Sequence, residues 1–347
     1  MSPEQSITTS TRADPHPIKD FFIAELIDYA PKDHTDMMER PFFSIAKRKR
    51  LKPIEYENDD GSVFVKVSGH PEHGMATIWD ADILIYCISR VMAARDRGDN
   101  DFSPSIFVTP YELLKGIARD TGGQNYAELI AAIKRLKTTT IETNIRGGKN
   151  RLAMFNWLAE VEGEGSKLDD PAQLKMLELR LSNWMYKGIM SGKGVLTLDR
   201  EWFLLKGGLE RVLYRIARKH SGDQPQGWTC RFDVLYKKTG SEEPSRNFAV
   251  RLRRLVAKND LPRYAMKLTR TADGAEAVHF IARHYLESRG QTIESRAASA
   301  RDHARMAWID SGRNPRDFDK ALAEWKASGA SVEQFAAQYS DPAARLV

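Results

Sequence analysis

The hydrophobic pattern is clearest in the segment Ser245–Lys258. Phe248, Leu252, Leu255 and Val256 stand at positions i, i+4, i+7 and i+8. A helix turns by about 100° per residue, so these four side chains fall on one face. The pattern predicts an amphipathic helix that packs its apolar face on a hydrophobic core.

The other side of this predicted helix is polar and strongly basic. Its exposed face and flanks carry Arg246, Asn247, Val250, Arg251, Arg253, Arg254 and Lys258. Cations and side chains with two hydrogen-bonding atoms are what a helix lying in a DNA major groove needs. A basic face is also common on ordinary solvated helices. The segment by itself therefore leaves both interpretations open.

The predicted secondary structure follows one order twice along the chain. The first series predicts helices at 75–97, 110–119 and 124–137, then strands at 138–145 and 152–161 around a glycine-containing turn at 146–150. The second predicts helices at 208–219, 232–238 and 245–258, then strands at 261–271 and 276–282 around Asp273 and Gly274. Three helices followed by a strand, a turn and a strand is the order of a winged helix.

The two series also align residue by residue. With an offset of 122 positions, Asn125–Ala127 falls on Asn247–Ala249, and Leu113 falls on Leu235. Matching apolar positions in two segments indicate an internal duplication. We therefore expect an α+β protein with two tandem winged-helix domains.

The positive charge is concentrated around the second series. Residues 205–270 contain 16 Lys and Arg against 6 Asp and Glu, whereas the rest of the chain has a net charge of −4 and the whole chain +6. A concentrated basic field favours a polyanionic partner, most often nucleic acid. In the first series the corresponding helix is only mildly basic, and its candidate DNA contacts are Gln124, Asn125, Lys134 and Arg135. We expect the second domain to be the main DNA reader.

The remaining segments set the expected boundaries. Residues 1–20 are polar and proline-containing and predict a flexible arm. The first domain, 21–165, includes a hairpin with strands near 54–56 and 63–67, and the second domain covers 166–285. Weak helical patterns in 286–347 predict a loosely attached tail that is helical or partly disordered. No segment has the roughly 20 apolar residues of a membrane span, so we expect a cytoplasmic protein that associates with the nucleoid or a plasmid.

Catalytic chemistry has little support in the sequence. His70 and His73 are the closest histidine pair, and without further nearby Cys or His ligands they predict a loop rather than a metal site. The short basic cluster Lys47–Arg50 could touch phosphate or be a plain surface cluster. We expect no cofactor, no metal and no enzymatic activity. A metal-dependent DNA-nicking enzyme stays the alternative from another class.

A string of motifs resembles the replication initiator protein A group of theta-replicating plasmids. The segments that carry it are 74–80 (GMATIWD), 109–114 (TPYELL), 126–136 and 138–145 (TTTIETNI), and the resemblance covers roughly residues 21–283. It implies binding of double-stranded DNA at repeated origin sequences (iterons), local duplex opening and recruitment of the host initiator and helicase machinery. It also implies a homodimer that represses its own gene. A winged-helix transcriptional regulator stays an open alternative.

Overall fold

The computed structural model divides the chain into two units, Met1–Ile281 and Ala282–Val347. It describes residues 30–98, 103–146, 152–165, 174–191 and 193–290, together with shorter segments between 304 and 340. The predicted arm at 1–20 and the turn at 147–150 lie outside the described residues. No described helix is long and apolar enough to cross a membrane.

The first half of the larger unit mixes short strands and helices. In chain order they are β1 (Lys32–His34), α1 (Thr35–Met38), β2 (Ile54–Glu57), β3 (Phe64–Ser68), α2 (Ala81–Asp96), β4 (Ser105–Val108), α3 (Pro110–Gly116), α4 (Gly123–Thr138), β5 (Thr140–Thr143), β6 (Ala153–Asn156), β7 (Leu158–Glu164) and β8 (Met176–Leu181). The predicted hairpin is confirmed, because β2 and β3 pair antiparallel with Ile54 opposite Val67. The helix predicted from residue 75 begins only at Ala81.

The second half begins with α5 and ends with a strand pair. Its elements are α5 (Asn183–Met190), β9 (Val195–Thr197), a 3₁₀ turn (Arg200–Leu204), α6 (Gly208–Ser221), β10 (Trp228–Arg231), α7 (Phe232–Thr239), α8 (Ser245–Lys258), β11 (Tyr264–Arg270) and β12 (Glu276–Ala282). The predicted helix at 245–258 is confirmed at both ends. Asn259 stops it in a left-handed conformation at φ 49°, which asparagine tolerates better than most residues.

Two three-stranded sheets share one topology. In the first, the strand order is β4-β8-β7, and in the second it is β10-β12-β11. In each case a helix precedes the first strand, two helices follow it, and the last strand lies in the middle. The aligned Leu113 and Leu235 are both 0% exposed, whereas Tyr126 is half-buried and the aligned Phe248 is buried. The two halves therefore repeat one arrangement.

The strand assignment in the first half needs a correction. The two strands predicted around the turn do pair, since β5 lies antiparallel to β6. However, β5 also pairs with β3, so both strands belong to a separate four-stranded sheet of order β2-β3-β5-β6 and not to the β4 sheet. The strands that complete the β4 sheet are β7 and β8. A boundary at residue 165 would cut this sheet, because β8 lies beyond it in sequence. Alternation within a strand cannot reveal which distant strand it pairs with.

Buried ion pairs join the two halves of the larger unit. Asp82, in the first turn of α2, accepts hydrogen bonds from Arg211 Nη1 on α6 at 2.6 Å and from Trp202 Nε1 at 3.0 Å. Asp33 on β1 accepts one from Arg215 Nε at 2.6 Å. Both aspartates are at most 1% exposed. A buried charge is costly unless it is paired and hydrogen-bonded, so these contacts fix how the halves meet.

The smaller unit has a core of its own. Its described helices are α9 (Arg283–Gly290), α10 (Phe318–Ala327) and α11 (Val332–Ser340). Trp308 stacks on Phe335 with ring centroids 5.8 Å apart, and Phe318 meets Phe335 edge-on at 6.0 Å. The weak helical pattern predicted the helices of this tail but not its aromatic core.

Candidate nucleic-acid interface

Helix α8 buries the face that its sequence pattern predicts. Phe248, Leu252 and Val256 are 1%, 0% and 4% exposed, whereas Leu255 is only half-buried. The Phe248 ring meets Tyr236 of α7 edge-on, with centroids 5.2 Å apart. At the end of the helix, Asn259 Oδ1 accepts the backbone N–H of Met266 at 2.7 Å. The helix is therefore fixed both to the preceding helix and to β11.

Four of the predicted DNA-contacting residues on α8 lie open to solvent. Arg246, Asn247, Val250 and Arg254 are exposed. The first two belong to the first turn of the helix, where helix-turn-helix proteins contact base edges. Pro244 rather than Ser245 occupies the N-cap position, so no side chain caps the first turn.

The other three predicted contacts are engaged with carboxylates. Arg251 Nη1 lies 3.2 Å from Glu243, and Lys258 Nζ lies 2.5 Å from Asp260. Arg253 contacts both carboxylate oxygens of Glu276 on β12, at 3.1 and 2.5 Å. These hydrogen bonds lower the pKa of the Glu276 carboxyl. Polyanion binding at these positions has to compete with an internal partner, which charge counting along the sequence does not reveal.

The predicted contacts on α4 are placed differently. Arg135 donates from Nε and Nη2 to the two oxygens of Asp80, both at 2.7 Å. Asp80 is 1% exposed, so this bidentate pair supports the start of α2 and does not leave Arg135 free. Gln124 contacts Glu128 at 3.3 Å, and Asn125 and Lys134 are half-buried. Of these two helices, only α8 presents an open basic face.

The strand pair β11–β12 adds cations that the sequence analysis did not single out. Lys267 and Arg270 on β11 are exposed, and Arg270 Nη1 donates to the carbonyl of Gly274 in the connecting turn at 2.9 Å. The sequence could have indicated these two residues, because they lie on a predicted hairpin directly after α8 and the wing of a winged helix flanks its third helix.

The basic loop Lys47–Arg50 lies against the turn before α8. Arg50 is 6% exposed, and its Nη1 donates to the carbonyl of Gly240 at 2.6 Å. Arg48 Nη2 lies 3.3 Å from Glu242. Burial lowers the pKa of the Arg50 guanidinium. The loop therefore belongs to the same surface as α8, although about 200 residues separate them in sequence.

A cleft of about 990 Å³ lies between α4 and the end of α8. Its walls include Glu128, Ala131 and Arg135 of α4, Asp260 and Pro262 after α8, and Lys206. Lys47 and Lys49 of the basic loop also line it. The cleft is thus bordered by elements of both halves.

The histidine pair sits in a tight turn. The backbones of His70 and Gly74 exchange two hydrogen bonds, and the rings of His70 and His73 stack at 5.0 Å. Glu72 brings a third ligand-type atom within 4.8 Å of both rings. His70 Nδ1 accepts the backbone N–H of Glu72 at 3.1 Å, so that nitrogen already stabilises the turn. We assign no ligand to this cluster.

Comparison with known proteins gives the family. The model of the family described as Replication initiator protein A matches residues 32–266. A protein of Wigglesworthia glossinidia brevipalpis named "Putative replication protein" is 34% identical over 258 residues, which cover 72% of this chain and 90% of that protein. A crystal structure of domains 2 and 3 of RctB has a similar fold, with a TM-score of 0.51, 11% identity and coverage of 71% of this chain and 97% of that one. With its mixed helices and strands and a family match that spans both repeated halves, the chain belongs to the replication initiator protein A family.

Proposed function

We propose that this protein is a plasmid replication initiator that binds double-stranded DNA sequence-specifically through two tandem winged helices. The observation that carries the proposal is α8, which buries Phe248 and Leu252 and exposes Arg246, Asn247 and Arg254. Arginine can form two hydrogen bonds with guanine and asparagine two with adenine. Helix α8 would be the recognition helix, and β11–β12 the wing beside it.

The repeated topology supports a second DNA contact in the first half. Helix α4 holds there the place that α8 holds in the second half, in front of the pair β7–β8. Its exposed side carries Gln124 and Glu128, and Arg135 is held by Asp80. We assign α4 the weaker DNA contact or a protein interface, which includes the proposed homodimer.

Membership of the family supports the proposed biological role. An initiator of this kind binds iterons at the origin, opens the adjacent duplex and recruits the host initiator and helicase. We propose that the protein is not an enzyme, because the two buried carboxylates that line the cleft, Asp80 and Asp82, are paired with Arg135 and Arg211. A transcriptional regulator would use the same α8 face and is the second candidate.

One set of assays separates these functions. The protein is footprinted on DNA flanking its gene, and a supercoiled plasmid with that DNA is probed for unpaired bases and for nicks in the presence of Mg²⁺. Protected direct repeats with unpaired bases and no nicks are the expected result. Protection without unpaired bases favours the regulator, and site-specific nicking favours the enzyme. The slope of log affinity against log salt should be of order −5 if several phosphates are neutralised.

A further inference from the structure

Three lysines line the cleft between the two halves without a carboxylate partner. Lys47, Lys49 and Lys206 are exposed and border the cleft. Lys47 Nζ lies 5.4 Å above the Trp79 ring. None of the three forms an ion pair within the described part of the chain. The ammonium groups are thus available to an external anion.

The other charges of the cleft are largely balanced. Arg135 and Arg211 also line it, but Asp80 and Asp82 neutralise them at 2.7 and 2.6 Å. Asp260 is paired with Lys258 at 2.5 Å. The acidic groups Glu128 and Glu201 also line the cleft. The lysines therefore supply the net positive charge of this wall.

The position of the cleft indicates which anion it meets. Its walls include residues of α4 and of the loop after α8. Two helices placed in successive major grooves on one face of B-DNA are about one helical turn apart. The surface between them then faces the intervening minor groove, which is about 6 Å wide and bordered by the phosphates of both strands.

The basic loop is held in place before DNA arrives. Arg50 anchors it to the turn between α7 and α8 through the Gly240 carbonyl, and its Nε donates to the Lys52 carbonyl at 2.9 Å. A surface that is already ordered loses less conformational entropy on binding. The loop and α8 should therefore engage one DNA molecule together.

From this geometry we infer that Lys47, Lys49 and Lys206 bind the DNA phosphates that border the minor groove between the two winged helices. The inference rests on the proposed function, because it places duplex DNA across both halves. It adds a phosphate-binding surface outside the recognition helices. This surface contributes affinity without base specificity, since phosphates carry no direct sequence information.

The test compares a double variant, Lys47→Gln with Lys49→Gln, with a control that has the same change of charge. The control is Lys175→Gln with Lys193→Gln, two exposed lysines that do not line the cleft. Binding of duplex DNA with the protected repeat and of scrambled duplex is measured from 50 to 200 mM salt. We expect the cleft variant to lose affinity on both duplexes alike. Each lost phosphate contact should reduce the salt slope by about 0.9, so the slope should fall by about 2.

Hydroxyl-radical footprinting locates the contact. We expect the cleft variant to lose protection in the middle of the site while the flanking protections remain. Equal behaviour of the cleft variant and the control would overturn the inference. So would unchanged duplex binding combined with weaker binding of a single-stranded oligonucleotide, which would assign the cleft to single strands.

Arg246→Ala, tested in parallel, distinguishes a failure of the cleft inference from a failure of the proposed function. If Arg246→Ala weakens repeat binding and the cleft variant does not, only the cleft inference fails. If the wild-type protein does not distinguish the repeat from scrambled duplex, the proposed function fails as well.

Discussion

Replacement of Arg211 by alanine should destabilise the larger unit strongly, because its guanidinium joins the two halves. Arg211 is 2% exposed. It donates to Asp82 at 2.6 Å, to the Leu205 carbonyl at 2.7 Å and to the Phe203 carbonyl at 3.1 Å. Removal of one partner of a buried ion pair costs about 3–5 kcal/mol, chiefly because the other charge stays buried without compensation.

The lower end of that range applies here. In the variant, Asp82 would still accept hydrogen bonds from Trp202 Nε1 at 3.0 Å and from Arg119 Nη2 at 3.4 Å, so its charge would remain partly compensated. We therefore expect a loss of about 3 kcal/mol. In a domain of this size, each kcal/mol of lost stability lowers the melting temperature by about 2–4 °C. The expected decrease in melting temperature is therefore roughly 6–12 °C.

The assay is urea denaturation and thermal unfolding of the full chain, with Arg180→Ala as the matched control. Arg180 also contacts a carboxylate, Glu160 at 3.1 Å, but its side chain is 48% exposed. Exposed ion pairs contribute about 0–1 kcal/mol, so the control should unfold close to the wild type. Similar small changes in both variants would refute the view that the Asp82–Arg211 pair holds the halves together. The double variant Asp82→Asn with Arg211→Met should recover part of the loss, since it leaves no buried charge.

Three further outcomes are expected. Asn247→Ala should narrow the affinity gap between repeat and scrambled DNA in competition binding, whereas Lys258→Ala should lower both affinities alike; the opposite result would mean that α8 docks in another orientation. Glu276→Gln should release Arg253 and raise DNA affinity at low salt, with stability within about 1 kcal/mol of wild type; an unchanged affinity in titrations would show that Arg253 does not reach DNA. Burial lowers the pKa of His34 from 6.5 to about 4, so folding favours its neutral form. The free energy of unfolding should therefore fall as the pH drops from 6.5 towards 4. A His34→Gln variant that keeps the wild-type pH profile in urea titrations would contradict this assignment.

The structure also changes how a test of α4 has to be designed. The charge pattern predicts that Arg135→Ala weakens DNA binding less than Arg254→Ala does. Because Arg135 forms a bidentate pair with the buried Asp80, its removal should also destabilise the fold. The DNA affinity of Arg135→Ala therefore has to be compared with that of Arg254→Ala at equal fractions of folded protein.

Local sequence determined the elements that carry the proposed function. The spacing of Phe248, Leu252 and Val256 was enough to define the buried face of α8, because one helical period is set by the backbone alone. Thr109 and Pro110 predicted the start of α3, where the Thr109 side chain accepts the backbone N–H of Glu112 at 3.1 Å. The repeated order of helices and strands was likewise readable from local patterns.

Only the tertiary structure decided which charges are free and which strands pair. Arg135 meets an aspartate 55 positions away, and Arg211 meets one 129 positions away. Strand β5 pairs with β6 across the predicted turn, but its other partner is the distant strand β3. Local periodicity specifies the face that an element buries, whereas the partner on that face depends on long-range packing. For this reason the sequence could predict a basic helix as a candidate DNA contact, but it could not predict the lysine-lined cleft between the two halves.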